Sequence, residues 1–127
     1  MNSVQQAAPH EHTALEPGVW FFSGDLIFAG RVRGAAETAG MKFSLLSKWP
    51  EAAPSKPHWI IVDLATKSGA SAEICKLAKE HFPGVPCLAF GPHVQAARLS
   101  QARQNGFDPV MTRGQFDGAL SSIFLAS

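Results

Sequence analysis

The sequence predicts an α/β domain, a parallel sheet wound by helices on both sides, and three observations carry that prediction. Short continuous apolar runs, Val19-Trp20-Phe21-Phe22, Trp59-Ile60-Ile61-Val62 and Val85 to Phe90, have the length of strands buried on both faces. Between them, apolar residues recur at three and four positions, the spacing of one helix face. Strands and helices then alternate, and parallel neighbours need crossovers that lay helices over the sheet. A chain of 127 residues holds one such domain.

In chain order, residues 1–17 are polar and Ala-rich without a periodic apolar face, which predicts a flexible N-terminal arm ahead of a folded domain over 18–127. His10-Glu11-His12 on that arm lacks a third ordered ligand and reads as polar tail rather than a metal site. Val19 to Phe22 is the first strand, ended by Ser23-Gly24-Asp25. Asp25 can cap the helix that follows by accepting from its free N–H groups. Phe28, Val32, Ala35, Ala36 and Ala39 form that helix's apolar face, and Gly40 ends it. Lys42 to Leu46 suits an edge strand. Pro50, Pro54 and Pro57 then interrupt the chain, so the helix expected between the second and third strands should be shortened or missing.

Trp59 to Leu64 is the strongest strand signal, a central strand that runs into the carboxylate of Asp63. A loop over Ala65 to Ala70 leads to a helix with Ile74, Leu77, Ala78 and Phe82 on one face, stopped by Pro83-Gly84. Val85 to Phe90 is the fourth strand, ended by Gly91-Pro92. His93 to Asn105 reads as helix with Gly106 as its terminator, Val110 to Thr112 as the last strand, and Phe116, Leu120, Ile123 and Phe124 as a final helical face.

Composition narrows the function. Eleven basic against ten acidic residues leave a formal charge of +1, no field to draw the chain to nucleic acid or an anionic membrane, so neither partner is expected. No apolar run approaches the roughly 20 residues of a membrane span, and the first residues lack a signal peptide's charged start and apolar stretch, which predicts a cytoplasmic protein. Cys75 and Cys87 sit inside apolar patterns without metal spacing and read as reduced core thiols. His58, His81 and His93 stand apart from any nucleophile. Arg98, Arg103 and Arg113 could line a basic patch, although arginine on a solvated helix face is the commoner meaning.

Five strands, with an acid closing the third and Asn105-Gly106-Phe107 to Arg113-Gly114-Gln115-Phe116 closing the set, resemble the response-regulator receiver domain over about Gly18 to Ser127. The resemblance implies a three-layer, doubly wound, flavodoxin-like fold with strand order 2-1-3-4-5. Members of that family hold Mg²⁺ and a phospho-aspartate with five groups. The phospho-acceptor falls on Asp63. The acidic pair falls on Ser23-Gly24, with Asp25 one place late. The hydroxyl position falls on Gly91, which has no side chain, and the Lys position on Arg113, which keeps the charge without the compact ammonium.

A thin carboxylate set and a missing hydroxyl imply a receiver-like domain impaired in phosphorylation, with no enzymatic activity and no bound cofactor or metal. Asp63 is expected to cap the following loop or to pair with Arg113, and Asp25 to act as a plain N-cap. The resemblance also implies a stand-alone module of signal transduction that binds another protein, or itself, through the surface around His93 to Phe124. The alternative is a small anionic-ligand or enzymatic site at the carboxyl edge of the sheet, lined by Ser23, Asp25, Asp63, Gly91 and Arg113.

Overall fold

The apolar runs form the middle of a five-stranded parallel sheet in a computed structural model whose described residues are 15–125. The strands are β1 (Pro17–Phe22), β2 (Lys42–Leu46), β3 (Lys56–Asp63), β4 (Cys87–Gly91) and β5 (Val110–Thr112), in the order β2-β1-β3-β4-β5. Side chains alternate across a strand, so each run feeds two cores. Val19, Phe21, Ile61, Leu88 and Phe90 face one side, where α1 (Leu26–Thr38) and α5 (Arg113–Ala119) cover them with Phe28, Val32, Ala36 and Phe116. Trp20, Phe22, Ile60, Val62, Cys87 and Ala89 face the other, under α3 (Ser71–His81) and α4 (Ala96–Asn105) with Ile74, Cys75, Leu99 and Ala102. A three-layer, doubly wound domain follows from that alternation.

The arm expected over residues 1–17, with its His10-Glu11-His12, lies outside the described residues as far as residue 14. Pro17 already pairs with Lys56 in the sheet, and the Glu16 carbonyl accepts from the Lys56 N–H at 2.8 Å. Pro57 enters β3 before its pairing with β4 begins at Ile60, and at the point where the register with β1 shifts between Gly18 and Val19. Such a bulge is where a proline without an N–H fits a sheet. Gly18 is needed there because a Cβ would fall on Ser55, whose buried hydroxyl accepts from Trp20 Nε1 at 3.0 Å.

No helix forms between β2 and β3. Trp49 from that stretch takes over part of the covering instead, its ring stacked on Phe22 at 6.2 Å and edge-on to Trp20 at 5.3 Å.

Some expected boundaries move. Leu64, read as the end of a strand, starts a helix, and the expected loop is α2 (Leu64–Lys67) followed by a 3-10 turn (Ser68–Ala70). The Asp63 side chain is the reason, since it accepts from the Ala65 N–H and turns the chain at once. The fourth helix begins at Ala96 rather than His93, because a turn closed by Gln95 N–H on the Pro92 carbonyl precedes it. Gly40 at φ +79° and Gly106 at φ +105° end α1 and α4 in the left-handed region that favours glycine. No helix among the described residues is long and apolar enough to cross a membrane.

Candidate functional site

The carboxyl ends of β1, β3, β4 and β5 bring Ser23, Asp25, Asp63, Gly91 and Arg113 to one edge of the sheet, where open α/β folds bind ligands. Two networks divide these residues between them.

The first centres on Asp63, which is only 1% exposed. Its Oδ2 accepts from Ser23 Oγ at 2.8 Å and from Thr66 Oγ1 at 3.1 Å, and its Oδ1 from the Ala65 N–H at 3.0 Å. Both hydroxyls are themselves anchored: Ser23 Oγ accepts from the Asp25 N–H and Thr66 Oγ1 from the Gly24 N–H, each at 2.9 Å. A carboxylate with three donors in a closed, polar shell has its charge met from within the protein.

The second network centres on Asp25, the N-cap of α1. Oδ1 accepts from the Phe28 N–H at 2.9 Å, and Oδ2 accepts from Arg113 Nη1 at 3.1 Å. The Arg113 guanidinium lies over the Phe28 ring, 4.2 Å from its centroid. The hydrogen bond from Phe28 holds the Asp25 carboxyl below its usual range. Partial burial opposes that shift and Arg113 supports it.

Asp25 thus serves as the expected N-cap. Arg113, expected as a partner of Asp63 across the strand ends, is instead the partner of Asp25. Arg113 opens α5, which packs on the same side of the sheet as α1, so its side chain follows that face to Phe28 and Asp25.

Gly91 ends β4 against aliphatic side chains. A Cβ there would lie 3.3 Å from Leu64 Cβ, 3.6 Å from Leu64 Cδ1 and 3.6 Å from Leu99 Cδ2. Leu64, 2% exposed, fills the space beside the position where the resemblance puts a hydroxyl.

Thr66 was passed over in sequence as part of a loop. Its signal is the spacing Asp63-x-x-Thr66, an acid with a hydroxyl one helical turn on, within reach of a shared cap.

These side chains do not fit the Mg²⁺ that the fold implies. Mg²⁺ would need to reach an Asp63 that is 1% exposed and already bonded to three donors, and of the acidic pair that the resemblance implies beside it only Asp25 is an acid, its oxygens turned to the Phe28 N–H and to Arg113. Among the described residues no three His, Cys, Asp or Glu side chains gather in a way that could hold a metal ion. The candidate basic patch also divides. Arg98 and Arg103 stand about 140° apart around α4 at 3.6 residues per turn. Arg98 donates to the Leu64 carbonyl at 3.5 Å and Gln95 Oε1 at 3.3 Å, and Arg113 belongs to Asp25.

The fold is similar to the crystal structure of a response regulator from Thermotoga maritima, with a TM-score of 0.68 and 18% identity over 89% of this chain and 100% of that one. It is also similar to the solution structure of the beryllofluoride-activated NtrC4 receiver domain dimer, with a TM-score of 0.59 and 12% identity over 84% of this chain and 94% of that one. The chain has the response-regulator receiver fold. No protein-family model and no curated protein matches the sequence. Within the receiver fold, the carboxyl edge here is lined by a carboxylate satisfied internally, a capped helix and a glycine packed under leucine.

Proposed function

We propose that this receiver-fold domain has exchanged phosphorylation chemistry for an internal hydrogen-bond network and works in cytoplasmic signal transduction as a non-enzymatic binding module. The observation that carries the reading is the engagement of Asp63, buried at 1% exposure with three donors on its oxygens: an incoming phosphoryl group or cation would have to reach it past Ser23, Ala65 and Thr66 and compete with their bonds. The packing of Leu64 against Gly91 supports it, because the group that would read a phosphoryl oxygen is replaced by apolar contact. The binding face is the surface around His93 to Phe124, on which Val94 stands 77% exposed beside α4. Its partner is another protein or a second copy, with no role for nucleic acid or membrane.

The competing reading, an anionic ligand held by Arg113 and the start of α1, has less support, since the Asp25 carboxylate already stands between the two, accepting from Arg113 Nη1 and from the Phe28 N–H, and its charge opposes a second anion there. Thermal melts with Mg²⁺ and beryllofluoride, and intact mass after incubation with acetyl phosphate, test the proposal. The melting temperature should not move and no phosphoryl adduct should form. Saturable stabilisation that vanishes in Asp63→Asn would overturn it.

A further inference from the structure

We propose that the segment Leu64–Ala70 is a gate over Asp63 and that the Thr66 hydroxyl is its latch. The segment is a four-residue helix followed by a three-residue 3-10 turn, far below the length at which a helix holds itself together. Leu64 is anchored in the core, while Ala65, Thr66, Gly69 and Ala70 are exposed. Pieces with few buried apolar contacts open at free energies well below that of global unfolding.

What holds this piece down is polar and concentrated at its start. The Ala65 N–H and Thr66 Oγ1 both donate to Asp63, and the Arg98 guanidinium reaches the Leu64 carbonyl only at 3.5 Å. Thr66 ties the segment across the edge to the turn after β1. Its oxygen accepts from the Gly24 N–H, and its Cβ lies 3.5 Å from where a Cβ on Gly24 would be. Breaking the bonds at Thr66 frees the segment from the turn after β1 and leaves the Ala65 N–H as its one remaining bond to the Asp63 side chain, so that the piece can lift from a carboxylate that is otherwise shut away.

The inference rests on the reading of Asp63 as satisfied within the protein, but it concerns access, so its failure shows in exchange and labelling rates rather than in beryllofluoride binding. The experiment is native-state hydrogen exchange by NMR on the full chain, with carbodiimide coupling of Asp63 followed by mass spectrometry, in wild type, Thr66→Val and Thr66→Ser. The Ala65 amide should exchange through a local opening that responds little to low denaturant, unlike the Ile61 amide in β3. Thr66→Val should raise both Ala65 exchange and Asp63 coupling by about tenfold, the scale of one charge-assisted hydrogen bond, with Ile61 unchanged. Thr66→Ser, which keeps the hydroxyl, should restore the wild-type rates. Exchange of Ala65 only through global unfolding, or Asp63 coupling that is the same in Thr66→Val as in wild type, would overturn the gate.

Discussion

Asp63→Asn separates a satisfied structural carboxylate from one held in reserve for a ligand. A carboxylate kept free for a cation is strained by its own charge, and neutralising it stabilises the fold. Here the opposite sign is expected. An Asn amide keeps one carbonyl oxygen for the Ala65 N–H but sets an NH₂ against Ser23 and Thr66. Each hydroxyl already accepts a backbone N–H, so each must turn its lone pair to the amide and lose the acceptor of its own proton. Hydrogen bonds to a charged group contribute about 1.5–3 kcal/mol and are roughly twice as strong as neutral ones, so weakening two of the three costs about 1.5–3 kcal/mol. For a domain of this size that is a fall in Tm of about 5–10 °C. Urea unfolding of the two proteins should show a lower midpoint at unchanged slope. An Asp63→Asn protein equal to or more stable than wild type would refute the stabilising internal network around Asp63.

Further outcomes follow from Asp25, Gly18 and the two cysteines. Asp25→Ala removes the cap of α1 and the partner of Arg113, and should cost about 0.5–2 kcal/mol at neutral pH. Because folding lowers the Asp25 pKa, its contribution is complete above the ordinary value of 3.8 and is lost as the pH falls through the lower folded value, so the two stability curves should converge in acid. Gly18→Ala drives a methyl into Ser55 and disrupts its bond to Trp20, with an expected loss of about 1–3 kcal/mol and a change in tryptophan emission. Burial pushes the Cys87 thiol up to about 11 and that of Cys75 upward, so neither should react with a disulfide reagent in the folded protein at pH 8 while both react in urea. With the folded pKa raised, stability should fall as the pH climbs from about 9 toward 11, where the unfolded thiols ionise first.

The sheet was legible because its evidence is local. Val19 to Phe22 and Ile60 to Val62 are apolar at every position, which only a strand covered on both faces tolerates, and Asp25 and Gly106 carry the chemistry of helix ends in their own side chain or lack of one. The missing crossover helix was written in three prolines. What the sequence hid depends on which elements share a face. Arg113 and Asp63 both sit at strand ends, and only the packing of α5 beside α1 reveals that the guanidinium turns to Phe28 and Asp25. Trp49, next to the prolines that interrupt the chain, becomes visible as sheet cover only when its ring is seen on Phe22.

The site was hidden for a sharper reason. Ser23 and Gly91 stand out in sequence as losses, a hydroxyl where the resemblance expects an acid and a hydrogen where it expects a hydroxyl. In the fold both positions have been put to use. Ser23 supplies the shortest bond to Asp63 and holds the Asp25 N–H, and the bare Cα of Gly91 lets Leu64 close over β4. Restoring Gly91→Ser alone would press a Cβ onto Leu64 at 3.3 Å while Asp63 kept its three donors. One substitution therefore does not return a switch to this edge, because Ser23 and Thr66 hold Asp63 while Leu64 packs over Gly91. That arrangement is what keeps Asp63 supplied with donors although it is buried.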